Sequence, residues 1–351
     1  MGMNEKYDVI VIGCGPAGAA TAITCASKGL KVAMIDGESF PRQKPGETLH
    51  PGIEPVLHRL GVAQIVHQAG FLRHKGHWIT WEQDRQFVPF GADETGVWYG
   101  YQARRAEFDS ILLERAMSLG VEVYLRHRAL RPIIQNNRVV GVVTAGGQLM
   151  SSFLIDGTGR QHWLAKKLQL PMDTYSPQLI ARYGYVQGEC HLHDDEPAIV
   201  ADHEGWTWTA KIGAGMYQWT RLSFNNVPLK KGWLPKEYQE LTPIGKTLGA
   251  DMTWRAARQP AGPGYYLVGD AASVLDPASS HGVLKAIMSG MMVGHLIDKV
   301  NMTGCKEHLG SEEYCKWIRK WFQHDVKKLK ELYVLLPINR SKGWLETDTS
   351  V

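Results

Sequence analysis

Gly13-Cys14-Gly15-Pro16-Ala17-Gly18 places three glycines at a spacing that lets backbone meet phosphate. Gly13 permits a tight turn, Gly15 lets the main chain approach a pyrophosphate, and Gly18 allows a helix to pack closely on a strand. The helix that Pro16 and Ala17 open adds free N–H groups and partial positive charge. Asp36 ends the next apolar run, where a carboxylate can accept hydrogen bonds from ribose hydroxyls. A lone GxGxxG is weak, but here the strand before, the helix after and the acid are all in place. The chain therefore reads as a dinucleotide binder, with NAD and FAD not separated by this motif.

Later residues could complete the same site. Asp270 follows the buried run Tyr265-Tyr266-Leu267-Val268 and Gly269, so its carboxylate points out of a strand end, where open α/β sheets bind ligands. A helix cap is the plainer use of such an aspartate. His281 stands where a helix begins and could bond a ligand, cap the helix or simply pack. Lys75 could reach a site from a strand start or lie solvated on the surface. Cys190-His191-Leu192-His193-Asp194-Asp195-Glu196 mixes metal-ligand types. It precedes Pro197 in a polar connection and has no second cluster at zinc spacing, so no metal is expected.

The ordered set of segments resembles flavoprotein hydroxylases of the para-hydroxybenzoate hydroxylase fold. Arg105-Ala106-Glu107-Phe108-Asp109 resembles their R-x-x-F-D segment, and Gly269-Asp270-Ala271-Ala272 their second FAD fingerprint. Pro41-Arg42 resembles the segment lying over the flavin, and Asp156-Gly157 their third short motif. Asp276-Pro277-Ala278-Ser279-Ser280-His281-Gly282-Val283 looks like the D-P-x-x-S-x-G-V segment of flavin-dependent halogenases and related hydroxylases. Gly46-Glu47 resembles the halogenase G-E segment. The resemblance covers most of residues 7–170 and 260–300.

It implies FAD, held by Gly13, Gly15, Pro16, Ala17, Gly18, Asp36, Arg42, Arg105, Asp156, Gly269 and Asp270. His281, Gly282 and Val283 would border the flavin ring, where helix N–H groups stabilise negative charge on reduced flavin. The implied activity is a monooxygenase that hydroxylates an aromatic substrate through a flavin C4a-hydroperoxide, with O₂ as co-substrate and His281 and Lys75 as catalytic candidates. With no second GxGxxG, electrons would come from transient NAD(P)H or a separate flavin reductase.

Two departures separate the chain from halogenases. Trp206-Thr207-Trp208-Thr209 runs into Ala210-Lys211 instead of completing W-x-W-x-I-P, and Phe71 stands one residue too far from Lys75-Gly76 for F-x-x-K-x-G. A narrower resemblance, carried by GDAASVLDPASSHGVLKAIMSGMM, GWTWTA and YQWTRL, is to flavoproteins that mature oxidases bearing a tryptophan-derived quinone. It implies that the substrate is a tryptophan of a partner protein. The alternatives are a halogenase, an isoprenoid-type flavin reductase and a non-catalytic flavin-binding maturation partner.

The elements that must position these residues follow from periodicity. Together with the resemblance, they imply an α/β fold: a GR-type Rossmann-like FAD-binding domain with an inserted β-sheet substrate domain and C-terminal helices. Residues 1–75, 101–177 and 259–300 form the FAD-binding parts, 76–100 and 178–258 the substrate sheet, and 301–351 a helical segment. Eight of the twelve tryptophans (78, 81, 98, 206, 208, 219, 233, 254) fall in the insertion, as a cavity for an aromatic substrate or as sheet core. Trp317, Trp321, Phe322, Val326, Leu329, Leu332, Tyr333 and Leu336 make an apolar helical stripe opposite lysines. It suits packing on the body, or contact with a membrane or partner.

The dispersed formal charge of +4 gives no footprint for nucleic acid. Five cysteines without a CxxC read as reduced thiols. No secretory signal and no apolar run of about 18 residues is seen, so a cytoplasmic protein without a transmembrane segment is expected.

Overall fold

The computed structural model describes residues 6–81, 84–190, 196–224, 227–279, 281–304 and 306–334. The His191–Asp195 part of the metal-like stretch, Ser280 and Leu336 lie outside the described residues.

The β-branched run Lys6–Ile12 is the central strand of an eight-stranded sheet. Val32–Asp36 and Glu122–Leu125 follow it in parallel on one side, Gly147–Asp156 and Tyr265–Leu267 on the other. Register pairs Ile12 with Ile35 and Asp156, and Asp156 with Leu267. Parallel strands in register end on one edge, so the glycine turn, Asp36, Gly157 and Gly269-Asp270 all emerge there. That edge is where such sheets bind ligands. The first half of Gly147–Asp156 instead carries an antiparallel meander of Arg138–Thr144 and Ala129–Gln135. Ala129–Gln135 does not stand out in the sequence because Arg131 and Pro132 break its pattern. It sits at the sheet edge, where proline is tolerated.

Two helices cover the binding edge at very close approach. A Cβ on Gly290 of the Gly282–Thr303 helix would lie 2.2 Å from the Ala17 carbonyl, and one on Gly294 would lie 2.7 Å from Thr24 Cβ. Only glycine lets this helix lie against Pro16–Ala26.

A seven-stranded sheet stands over the edge in the order Thr242–Asp251, Leu179–Gln187, Met216–Phe224, Gly205–Gly213, Ala198–Asp202, Gly76–Thr80, Arg85–Pro89. The helix Glu307–Val334 buries Tyr314, Ile318, Phe322, Val326, Leu329 and Tyr333. Trp81 Nε1 donates to the Leu332 carbonyl at 3.1 Å. The stripe is therefore spent on the body of the protein, between the two sheets. Among the described residues, no helix is long and apolar enough to cross a membrane.

Candidate functional site

A cavity of about 1360 Å³ opens between the edge of the parallel sheet, the Gly282 helix and one face of the seven-stranded sheet. Gly13 (φ +97°) turns the chain so tightly that a Cβ would lie 2.4 Å from the Gly157 carbonyl. Gly18 packs inward, where a Cβ would meet the Gly13 carbonyl at 2.0 Å. Gly15, Pro16 and Ala17 line the cavity, and no side chain caps their helix, so its positive end faces the open space. Asp36 accepts from Cys14 N–H (2.8 Å) and Glu38 N–H (2.9 Å), which fixes its carboxylate at the rim. Burial, then Asp36, push the Cys14 thiol up, so the cysteine inside the glycine turn is an inert thiol.

Arg42 reaches over this turn. Its Nη1 lies 3.4 Å from Asp36 and 3.1 Å from Glu38, while its buried Nε has no partner among the described residues. Arg105 is clamped bidentately by Asp109 (2.9 and 3.1 Å) and donates to the Pro45 carbonyl at 2.8 Å, which holds the Pro45-Gly46-Glu47 wall. Glu47 accepts from Tyr185 (2.6 Å) and Gly46 N–H (2.9 Å), and burial raises its pKa. Half-buried Asp270 lines the centre and makes no hydrogen bond with a described residue. Burial raises its pKa against the pull of Arg160, Arg105, Arg255 and Lys285. Lys285 also lines the cavity, pairs with Asp325 of the last helix, and is pushed down to about 8 by burial.

Three residues expected at the site stand elsewhere. Asp156 is buried and turned inward, accepting from Thr158 N–H (2.9 Å), Thr158 Oγ1 (2.7 Å) and Leu164 N–H (2.7 Å). It builds the turn, and only its neighbours Gly157 and Thr158 line the cavity. Lys75 is exposed and outside the lining, with its N–H directed to Glu196. His74 before it is the buried one, as strand alternation dictates. Gly282 and Val283 line the cavity, but the His281 ring turns away and packs edge-on against His50 at 4.8 Å. Burial pushes His281 down to about 4, so it is neutral at pH 7.

The sheet wall is set by register. Trp208, Thr220 and Tyr183 lie directly opposite one another on three neighbouring strands, and Trp206, Leu222 and Ala181 form the next row. Facing residues share a side of the sheet, and steps of two keep it, so Trp206, Trp208, Gln218 and Tyr183 all point into the cavity. Trp219 points the other way, against Trp233 at 5.3 Å. The expected tryptophan clustering thus divides between wall and core. Sequence reasoning missed Arg160, Tyr183 and Lys285, since no local pattern reveals which side chains non-local pairing turns inward.

The family model described as "FAD binding domain" matches residues 6–208. The chain belongs to this FAD-binding family. It is an FAD-dependent oxidoreductase of the monooxygenase/halogenase superfamily. Its relatives include a tryptophan 2-halogenase of Chondromyces crocatus, 27% identical over 86% of this chain; the chain spans 62% of that enzyme's length. A 1H-pyrrole-2-carbonyl-[peptidyl-carrier protein] brominase of Pseudoalteromonas luteoviolacea is 26% identical over 84% of this chain and 77% of the brominase. The solved myxobacterial chondrochloren halogenase CndH superposes with a TM-score of 0.89 at 24% identity, covering 97% of this chain and 85% of CndH, a likeness of fold.

FAD fits the residues this oxidoreductase presents. The uncapped helix end at Gly15 and the orphaned Arg42 Nε match a pyrophosphate. Asp36 would meet ribose hydroxyls. Asp270, short of donors, would meet the ribityl hydroxyls, and Arg105 would hold the loop beside the ring. The Gly282 helix, also without a side-chain cap, would turn its N–H groups toward the ring's electron-rich edge.

Proposed function

We propose that this FAD-dependent oxidoreductase halogenates an electron-rich aromatic substrate, with O₂ and halide as co-substrates and reduced flavin supplied by a separate reductase. Reduced flavin supplies the electrons that activate O₂. The chain's residues hold the cofactor at Gly15, Arg42 and Asp270, present an indole-lined wall at Trp206 and Trp208, and screen both from water. The observation that carries this reading is the joining of an FAD-fitting sheet edge to that aromatic wall in one cavity. The kinship with a tryptophan halogenase and a pyrrole brominase supports halide as co-substrate.

Hydroxylation is the second reading, favoured by one observation: Lys75 lies outside the cavity. The aromatic is a free molecule or a tryptophan side chain of a partner protein. Reduced holoprotein mixed with O₂, bromide and free indole tests the proposal by product mass. A bromide-dependent gain of one bromine is expected. Incorporation of one oxygen regardless of halide moves the assignment to hydroxylation. Complete O₂ consumption with no modified aromatic, free or peptide-borne, overturns both.

A further inference from the structure

Arg160 follows the Gly157-Thr158-Gly159 turn and lines the cavity, yet no carboxylate among the described residues pairs with it. Its side-chain hydrogen bond runs from Nη1 to Met252 Sδ at 3.5 Å, to a weak thioether acceptor. Met252 follows the edge strand Thr242–Asp251, so the guanidinium is turned from the parallel sheet toward the sheet wall. Arg160 is the strongest charge acting on Asp270, and it also acts on Tyr183. Most other cavity cations are committed: Arg42 to Asp36 and Glu38, Lys44 to Glu38, Arg105 to Asp109, Arg255 to Asp251 and Lys285 to Asp325, while Arg128 and Lys166, which also line the cavity, are exposed to solvent.

Tyr183 stands in the same cross-strand row as Trp208, two strand spacings away, or about 9–10 Å. Its phenol makes no hydrogen bond with a described residue. The nearby acid Glu47 accepts instead from Tyr185 and from Gly46 N–H. Burial raises the Tyr183 pKa while Arg160 lowers it and Glu47 raises it, so the phenol keeps its proton at neutral pH and remains a donor. One indole wall, one guanidinium with spare N–H groups and one spare O–H therefore face the same space. Both residues are half-buried, and donors facing a cavity favour an acceptor there, a charged one above all beside a guanidinium that no carboxylate among the described residues pairs.

We propose that Arg160 and Tyr183 form an anion-recognising pair that selects aromatic substrates carrying an anionic oxygen, a carboxylate or a phenolate. This rests on the aromatic-substrate reading above and adds the charge that the substrate must bear.

The test uses FAD-loaded oxidised protein without turnover, following the flavin absorbance as ligand is added. Indole-3-acetate is compared with indole-3-acetamide for the carboxylate arm, and 4-cyanophenol with 4-cyanoanisole for the phenolate arm; the phenol's own absorbance reports its ionisation. In at least one arm the anion should bind about tenfold to a hundredfold more tightly than its neutral partner. Arg160→Met should erase that preference, Arg160→Lys should keep part of it, and Tyr183→Phe should reduce it severalfold, with FAD affinity held in all three. Binding without charge preference in both arms, or a preference that survives Arg160→Met, overturns the pair and leaves the aromatic reading standing. Loss of FAD affinity in Arg160→Met reassigns the guanidinium to the cofactor and also overturns it. Failure of all four probes to perturb the flavin removes the aromatic reading and the pair together.

Discussion

Asp276 is almost wholly buried beside the cavity, where its carboxylate accepts from the Tyr333 hydroxyl and, at 2.7 Å, from Ala278 N–H. Burial raises its pKa to about 6, although hydrogen bonds from Tyr333, Ala278 and the indoles of Trp254 and Trp206 pull it down. The unfolded chain releases this proton near 3.8, so between those values the native state holds a proton that the unfolded state does not. The stabilisation is fully present below 3.8 and is lost as pH rises through 6, a change of about 3 kcal/mol. Asp276→Asn removes the titration. Urea midpoints measured from pH 4 to 6.5 should therefore fall more steeply for the wild type than for the variant. Parallel curves would show that Asp276 does not titrate in this range.

At the scale of elements, the cofactor half depends on two helices that touch through backbone. Gly290→Ala would drive a methyl to 2.2 Å from the Ala17 carbonyl and 2.9 Å from Thr21 Oγ1, with no flexible tip to yield. Overpacking of this kind costs about 1–3 kcal/mol. The Gly282 helix must also shift away from Pro16–Ala26, so a lower Tm should come with weaker FAD binding in a fluorescence titration. An unchanged Tm and Kd would mean that the two helices tolerate separation. Such local features were legible in the sequence: the glycine turn, Asp36 and the Gly269-Asp270 strand end are read from short spacings that fix backbone geometry. Lys75 and His281 were less legible, because position in the chain tells which element a residue starts but not which face it takes. Lys75 alternates with buried His74, and the residue before the Gly282 helix points back to His50. Arg160 and Tyr183 lay beyond reach for a related reason. Their shared cavity exists only once Leu179–Gln187 pairs with Met216–Phe224 and the turn after Asp156 faces that sheet.

Across the whole molecule, one side chain near the end of the last helix joins parts distant in sequence. Tyr333 donates to Asp276 in the segment leading to the Gly282 helix, accepts from Trp206 Nε1 on the sheet wall at 2.7 Å, and stacks on Trp254 at 5.8 Å. The C-terminal helix thereby fixes the height of the aromatic wall above the Gly282 helix, which a long apolar stripe alone would leave free to slide. Tyr333→Phe keeps the ring and deletes the hydroxyl, removing the 2.7 Å acceptor of a buried indole N–H and a donor from a buried carboxylate, at a cost of about 1–3 kcal/mol. Because Asp276 and Trp206 share that hydroxyl, the loss should not add independently to that of Asp276→Asn. A double-mutant cycle by urea unfolding at pH 7 should return a coupling of at least about 0.5 kcal/mol. With the wall released, the aromatic probes should bind more weakly to Tyr333→Phe while FAD is still retained through Gly15, Arg42 and Asp270. Additive energies with unaltered probe affinity would mean that the helix only fills space, and that the cavity's depth is set by the two sheets without it.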